Sequence, residues 1–269
     1  MKKIVFGLVT GVVLLFALNH QAEAKGAQKS SGSTLTVGAT PVPHAELLNL
    51  IKDDLAAEGI TLRVVEFNDY VQPNSALITG DLDANFFQHI PYLESNAEWK
   101  NGLVSVFGVH VEPMGLYSNK VKDVPELPDG AVIAIPNDPT NGGRALLLLQ
   151  SKGLLTLKAG AGLTATPLDI TGNPKNFKFQ ELEAAQLPRA LADVDAAVIN
   201  GNYALEAGIN PVRDSLILEG ADSPYVNIVV AKKGNEKDPR LAALAKVLLS
   251  QKVKDYILSH YDGGVVAVF

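Results

Sequence analysis

Residues 131–152 read AVIAIPNDPTNGGRALLLLQSK, and this stretch decides the fold class. The apolar, partly β-branched run at 131–135 predicts a buried strand. The Asn, Asp and Pro residues that follow predict a short loop, and residues 141–152 predict a helix with buried leucines. A strand that leads through a short loop into a helix is the building unit of α/β folds.

The same alternation continues on both sides of this stretch. Strands are predicted at 35–40, 61–67, 83–88, 104–111, 168–170, 177–182, 196–199 and 225–231, and helices at 44–58, 69–79, 90–100, 184–193, 238–250 and 253–260. This order predicts an α/β protein with two mixed sheets flanked by helices. Two such blocks predict two lobes joined by two hinge strands, near 117–128 and 222–226. Lobe 1 would be residues 35–116 together with 226–269, lobe 2 would be residues 117–225, and a ligand would bind in the cleft between them.

The N-terminus predicts an exported protein. Two lysines precede an uncharged apolar run over 4–18, and the tripeptide AEA at 22–24 is followed by Lys25. These features are typical of a signal peptide over 1–24, cleaved after Ala24. A retained membrane anchor is the alternative, but the apolar run is shorter than the roughly 20 residues that span a bilayer. Residues 25–34 are mostly polar and rich in Gly and Ser, which predicts a flexible tether.

Composition excludes several classes of protein. The formal net charge is −6 and no basic cluster is present, which argues against nucleic acid as a partner. The chain contains no cysteine, so disulfides and thiolate chemistry are excluded. No histidine pair has metal-ligand spacing and no G-x-S-x-G motif occurs. We therefore expect no catalytic residue, no metal and no cofactor.

Residues 83–92, DANFFQHIPY, place aromatic side chains where a strand ends and a helix begins. Open α/β sheets bind ligands at such strand ends. Phe86 and Phe87 point to opposite faces of the strand, so one is expected in the core and the other facing the cleft. His89 could be a structural hydrogen-bonding residue or a ligand contact, and both alternatives remain open here.

Residues 135–145, IPNDPTNGGRA, predict a helix N-terminus whose free N–H groups attract an anion. Arg144 lies in the first turn, where its guanidinium could bind a carboxylate through two hydrogen bonds. The alternative is a capped helix with a solvated arginine. An arginine in the first turn opposes the helix dipole, which favours a bound anion.

Asparagines form a third group of candidates. Asn200 and Asn202 follow a predicted strand, and Asn227 lies within one. Asn can accept from an ammonium group and donate to a carboxylate. Turn formation is the alternative for the first two, but it does not apply to Asn227, because Asn is disfavoured inside strands.

Four segments, DANFFQHIPYL, IPNDPTNGGRALLLL, VINGNYA and SPYVNIVVA, resemble the NlpA/MetQ family in order and spacing from about residue 35 to the C-terminus. The resemblance implies the two-lobed, type II-like fold of periplasmic binding proteins. It also implies an aromatic pocket for a thioether, a clamp for a carboxylate and polar contacts to an amino-acid backbone. The resemblance assigns the aromatic pocket to Tyr70, Phe87, His89 and Tyr92. It assigns the carboxylate clamp to Arg144. It assigns the polar contacts to Asn141, Asn202 and Asn227, with Asn200 as a weaker candidate.

The expected function is that of a substrate-binding protein that delivers methionine to the permease and ATPase of an ABC importer, and a monomer is expected. Another apolar amino acid or a methionine-containing dipeptide is the alternative ligand, and a surface protein without a transport role is the alternative class. The sequence does not distinguish L- from D-methionine.

Most members of the family are lipoproteins with a cysteine at the cleavage point, whereas this chain has no lipobox cysteine. A soluble periplasmic protein is therefore expected.

Overall fold

Strands and helices alternate along residues 33–220 and 223–269, which are the residues that this computed structural model describes. The predicted signal peptide and residues 25–32 of the predicted tether lie outside the described residues. Ser33 and Thr34, which were predicted to end the tether, already belong to the first strand. The described residues, 33–220 and 223–269, belong to one compact unit.

The described strands are β1 Ser33–Ala39, β2 Ile60–Glu66, β3 Ala84–His89, β4 Leu103–Val111, β5 Gly115–Tyr117, β6 Val132–Pro136, β7 Thr156–Leu157, β8 Ile170–Gly172, β9 Lys178–Leu182, β10 Ala196–Ile199, β11 Ile217–Leu218, β12 Val226–Lys232 and β13 Val266–Ala267. The described α-helices are α1 Glu46–Leu50, α2 Lys52–Ala57, α3 Gln72–Thr79, α4 Ile90–Ser95, α5 Ala97–Gly102, α6 Pro139–Ser151, α7 Leu187–Ala190, α8 Gly201–Glu206, α9 Pro211–Asp214, α10 Pro239–Leu248 and α11 Gln251–His260. A π-helical turn, Pro41–Ala45, precedes α1, and short 3-10 turns lie at Val124–Glu126, Gly162–Thr164, Pro167–Asp169 and Ala184–Gln186.

The first sheet is mixed, as predicted, and has the strand order β13-β4-β12-β3-β1-β2. β1 pairs in parallel with both β2 and β3, whereas β12 runs antiparallel between β3 and β4. Buried leucines of α1 and α2 belong to the same apolar cluster as Val37 of β1 and Leu244 of α10. The C-terminal helices therefore pack with the N-terminal part of the chain.

The second sheet has the order β11-β5-β10-β6-β9 and is also mixed. β6 pairs in parallel with β9 and β10, and β5 pairs antiparallel with β10 and β11. Leu146, Leu148 and Leu149 of α6 are buried in one cluster with Ile133 and Ile135 of β6, and the partly buried Leu147 packs against it. The segment that predicted the fold class thus supplies an inner strand of this sheet and the helix that packs with it.

The chain crosses between the two sheets twice, from β4 to β5 and from β11 to β12. The first crossing, at residues 112–114, comes earlier than the hinge predicted near 117–128. The reason is that Gly115 and Leu116, which were predicted to belong to lobe 1, pair with β10 and β11 of the second sheet. The lobe bounds themselves remain a prediction.

Some predicted elements are divided in the structure. The helix predicted at 44–58 breaks at Ile51, whose ψ of 6° leaves the helical range. The helix predicted at 90–100 breaks at Asn96, whose side chain accepts the N–H groups of Glu98 and Trp99 and so begins α5. The helix predicted at 184–193 is a 3-10 turn followed by the short α7. The strand predicted at 168–170 is mostly a 3-10 turn, because Pro167 begins a turn there, and β8 starts only at residue 170.

In the described part of the chain, no helix has the length and apolar character needed to cross a membrane.

Candidate ligand-binding site

A small cavity, with about 20 Å³ of free space, lies between residues of the two sheets. All nine residues predicted from the sequence line it: Tyr70, Phe87, His89, Tyr92, Asn141, Arg144, Asn200, Asn202 and Asn227. Gln88, Glu112 and Gly201 line it as well and were not predicted. The structure therefore gathers the predicted residues around one space, while their contact with a ligand remains a prediction.

One side of the cavity, here called the aromatic wall, consists of Tyr70, Phe87, His89 and Tyr92. The ring centroids of Tyr70, Phe87 and Tyr92 lie 5.8–6.0 Å apart, within the range of favourable aromatic pairs. Phe87 lines the cavity, whereas Phe86 is fully buried in the core of the first sheet. Strand alternation predicted this division between the two neighbouring phenylalanines.

His89 is the last residue of β3 and the N-cap of α4. Its Nδ1 accepts the backbone N–H of Tyr92 at 3.1 Å, so the proton of a neutral ring lies on Nε2, which is 3.3 Å from Oδ1 of Asn141. Burial, with a smaller effect from the nearby Arg144 guanidinium, lowers the pKa of His89 to about 3. His89 is therefore a neutral hydrogen-bonding residue that also faces the cavity, so the two alternatives left open by the sequence are compatible.

The opposite side, here called the amide wall, consists of Asn141, Arg144, Asn200 and Asn202. Asn141 lies in the first turn of α6, where its Nδ2 donates to Asp138 at 3.0 Å and its Oδ1 accepts from Asn200 at 2.9 Å. Oδ1 of Asp138 accepts the backbone N–H of Asn141 and caps the helix. The anion that the sequence predicted at this helix N-terminus is thus supplied by the protein's own Asp138.

The two glycines of the NGGR motif have a packing role. A Cβ added to Gly143 would lie 2.2 Å from the carbonyl oxygen of Leu163, closer than atoms can approach. Gly142 similarly meets the carbonyl oxygen of Pro136 at 2.8 Å. These glycines allow α6 to pack closely on the neighbouring backbone, which places Arg144 at the cavity.

Arg144 is buried and already paired, which the sequence did not predict. Its Nε donates to Glu219 at 2.9 Å and its Nη2 donates both to Glu219 and to the carbonyl oxygen of Glu112. The guanidinium also lies 4.1 Å from the ring centre of Tyr225. Glu219 therefore accepts the two parallel hydrogen bonds, from Nε and Nη2, that the sequence analysis assigned to a ligand carboxylate. Among the described residues, Nη1 makes no hydrogen bond, so it is the atom available to a ligand.

Two amide atoms in the amide wall are buried without a hydrogen-bond partner in the described part of the chain, Oδ1 of Asn200 and Nδ2 of Asn202. The remaining amide atoms of these residues are engaged: Nδ2 of Asn200 donates to Asn141, and Oδ1 of Asn202 accepts from the Tyr70 hydroxyl at 2.6 Å. An unpaired buried polar atom costs about 1–3 kcal/mol. The amide wall thus contains one buried acceptor and one buried donor without partners among the described residues.

Glu112 and Asn227 complete the polar lining. Nε2 of His44 lies 3.0 Å from Oδ1 of Asn227, which leaves the amide NH₂ of Asn227 for other partners. Glu112 is 6% exposed, and burial raises the pKa of its carboxyl group. The position of Glu112 could have identified it as a lining residue, because it directly follows the apolar strand β4 and so lies at a strand end.

Comparison with known proteins supports one family. The sequence profile of the NlpA lipoprotein family matches residues 35–269. The chain belongs to the NlpA lipoprotein family. It is 47% identical over 235 residues to "Membrane lipoprotein TpN32" of Treponema pallidum, covering 87% of this chain and 88% of that protein. It is 47% identical over 211 residues to "D-methionine-binding lipoprotein MetQ" of Salmonella typhimurium, covering 77% and 78%.

Among solved structures, the chain resembles a nutrient binding protein from Burkholderia cenocepacia bound to methionine. The TM-score is 0.85 at 47% sequence identity, and the match covers 87% of this chain and 100% of the other. This NlpA-family chain therefore has the two-lobed α/β fold of substrate-binding proteins that the sequence predicted.

The comparisons contradict the predicted localisation. Both relatives carry the word lipoprotein in their names, and one is called a membrane lipoprotein. Lipoproteins are held at a membrane by a lipid on a lipobox cysteine. The expectation of a freely soluble periplasmic protein, drawn from Ala24 and the absence of cysteine, is therefore wrong on this comparison. It rested on N-terminal residues that lie outside the described part of the chain and outside the family match.

Proposed function

We propose that this NlpA-family protein binds free methionine in the cavity between its two sheets and delivers it to an ABC importer. The observation that carries the proposal is the pair of unpaired amide atoms, Asn200 Oδ1 and Asn202 Nδ2, in a buried cavity that also contains Arg144 and Glu112. An unpaired acceptor, an unpaired donor, a guanidinium and a carboxyl group around one cavity match the polar groups of an amino-acid zwitterion.

The polar contacts can be assigned by hydrogen-bonding capacity. The α-carboxylate would accept from Nη1 of Arg144, Nδ2 of Asn202 and the free NH₂ group of Asn227. The α-ammonium would donate to Oδ1 of Asn200 and to the Glu112 carboxylate. Each polar group of the ligand then has a charged partner and at least one amide partner, which offsets its transfer from water.

The aromatic wall would receive the side chain. A thioether sulfur contacts aromatic rings favourably, each contact contributing about 0.3–1.5 kcal/mol. Tyr70, Phe87 and Tyr92 offer several ring edges in one place. The methionine named for the Salmonella relative and the methionine bound to the Burkholderia neighbour support this assignment.

Delivery would depend on closure of the two lobes around the ligand. Hydrogen bonds already join the two sides across the cavity, from Tyr70 to Asn202 and from Tyr203 to the carbonyl oxygen of Asn68. A ligand that contacts both walls favours the closed form. We propose that the closed monomer docks on a membrane permease with its ATPase and that its role is binding rather than catalysis.

Isothermal titration of the protein, after unfolding and refolding to remove any retained ligand, tests the proposal. L-methionine, D-methionine, leucine and glycylmethionine would be titrated separately, and native mass spectrometry would identify any ligand retained on purification. We expect one methionine per chain, bound more tightly than leucine. Tighter binding of leucine or of the dipeptide would replace the ligand, and no binding of any of the four would contradict the proposed function.

A further inference from the structure

Two histidines outside the cavity lining contact the carboxylate of Glu112. Nε2 of His110 lies 2.6 Å from Oε1 of Glu112, and Nε2 of His44 lies 3.3 Å from the same oxygen. His44 and His110 are 1% and 0% exposed. They come from different segments, His44 from the turn after β1 and His110 from β4.

The neighbouring groups fix the positions of the protons. Nε2 of His44 faces two acceptors, Oδ1 of Asn227 and Oε1 of Glu112, so this nitrogen carries the proton. Nδ1 of His44 then accepts from the Thr40 hydroxyl at 2.8 Å. Nε2 of His110 faces Oε1 of Glu112, an acceptor, so this ring also donates through Nε2, and its Nδ1 has no partner among the described residues.

Both rings are uncharged near neutral pH. Burial lowers the pKa of His44 to about 4 and that of His110 to about 3. Two neutral donors orient the Glu112 carboxylate without neutralising it. Burial raises the pKa of the Glu112 carboxyl group, whereas these N–H donors and the nearby Arg144 guanidinium favour its charged form, and an α-ammonium in the cavity would favour it further.

We infer that His44 and His110 are positioning residues that hold Glu112 as the acceptor for a free α-ammonium and make the site select ligands with an unblocked amino group. This inference rests on the proposed function. His44 acts on two lining residues, since it also fixes the amide of Asn227. His110 acts through Glu112, which makes it the cleaner position for a test.

A bound divalent metal would be a different use of the same residues. Ligand atoms of His44, His110 and Glu112 lie within 4.8 Å of one another. In the arrangement inferred from these contacts, the Nε2 atoms that face Glu112 both carry protons. A metal would have to displace both protons, so hydrogen bonding accounts better for the geometry.

The test compares two ligands on four proteins. The ligands are L-methionine and 4-(methylthio)butanoate, which keeps the carboxylate and the thioether but lacks the amino group. The proteins are the wild type, His110→Leu, His110→Gln, which keeps an N–H donor, and His260→Gln as a control at an exposed histidine. We expect His110→Leu to weaken methionine binding about tenfold and to change binding of the analogue by less than about twofold. His110→Gln should recover most of the loss.

Equal weakening of both ligands by His110→Leu would overturn the inference, because a merely structural role affects both. Nitrogen-15 NMR of the wild-type histidines gives an answer even if His110→Leu does not fold. Neutral rings protonated at Nε2 are expected at pH 7, and a charged ring or a proton on Nδ1 of His110 would overturn the inference. One equivalent of zinc in the purified wild type, lost in His110→Leu, would also overturn it. A wild type that binds no methionine contradicts the proposed function instead, while the NMR result still judges the histidines.

Discussion

The aromatic wall and the amide wall of the cavity differ in how their own polar groups are satisfied. In the aromatic wall, the Tyr92 hydroxyl donates to the carbonyl oxygen of Tyr70, and His89 caps α4. In the described part of the amide wall, Asn200 and Asn202 each keep a buried polar atom without a partner. The side-chain polar groups of Tyr70, His89 and Tyr92 are therefore all paired, partly with Asn202 and Asn141 of the amide wall, and the aromatic wall offers shape and polarizability. The amide wall needs an outside partner, so we expect it to contribute most of the affinity and the selectivity for the amino-acid group.

Arg144→Ala should produce the largest change, because it affects both the ligand and the protein's own Glu219. Methionine binding should weaken at least about tenfold with the loss of a charge-assisted hydrogen bond. The protein should also lose about 3 kcal/mol of unfolding free energy, since Glu219 is left as an unpaired, mostly buried carboxylate. Calorimetry and urea unfolding measure the two effects. The exposed Arg213→Ala is the matched control, and unchanged affinity in Arg144→Ala would remove the arginine from the site.

Lowering the pH should destabilise the first-sheet half more than the second. The reason is that the first-sheet half contains the buried imidazoles of His44, His89 and His110. Their pKa values are lowered to about 3–4, below the ordinary 6.5. The unfolded state then binds more protons, so stability is complete above pH 6.5 and falls as the pH is lowered toward 4. At pH 5, each of these imidazoles should lower the free energy of unfolding by about 2 kcal/mol relative to its value above pH 6.5.

Glu112 opposes this trend, since burial raises its pKa, but three imidazoles outnumber one carboxyl group. Trp99 is the single tryptophan of the chain and lies in the first-sheet half. Urea unfolding followed by tryptophan fluorescence at pH 7 and at pH 5 measures the effect. Equal or greater stability at pH 5 would contradict it.

Comparing Asn202→Ala with Tyr70→Phe distinguishes the residue proposed to contact the ligand, Asn202, from the residue that orients it, Tyr70. Removing the Asn202 amide should weaken methionine binding about tenfold, because a donor to the carboxylate is lost. Removing the Tyr70 hydroxyl leaves that donor in place but frees the amide to rotate, so a loss of about threefold is expected. Titration calorimetry of both variants decides the order. A larger loss in Tyr70→Phe would mean that the hydroxyl itself binds the ligand.

Phe87→Leu should have the smallest effect and should change selectivity more than affinity. The wild type should prefer methionine to norleucine, its thioether-free analogue, by about 0.3–1.5 kcal/mol for each sulfur–aromatic contact. Leucine keeps an apolar surface without a ring, so this preference should shrink while norleucine binding stays nearly constant. Competition titrations measure the ratio. An unchanged ratio would assign the sulfur to other rings of the aromatic wall.

Sequence patterns predicted most of the fold because hydrophobic periodicity is a local property. The strand and helix of residues 131–152 and the opposite orientations of Phe86 and Phe87 all follow from neighbours in the chain. The two-residue strands β7, β11 and β13 were missed because such short runs carry no periodic signal. The position of the first crossing was missed because Gly115 joins the second sheet through pairing with β10 and β11, which no local pattern encodes.

For the cavity, local chemistry pointed to the residue types, and the family resemblance pointed to the positions. Neither indicated which partner each side chain would take. Arg144 pairs with Glu219, 75 positions away, and His44 bonds Asn227, 183 positions away. These pairings exist because folding brings separate strand ends to one place, where burial requires each polar atom to find a partner. The sequence was sufficient for the elements and the candidate lining. The availability of Arg144 Nη1, the unpaired amide atoms and the histidine contacts of Glu112 depend on distant neighbours and could be read only from the folded chain.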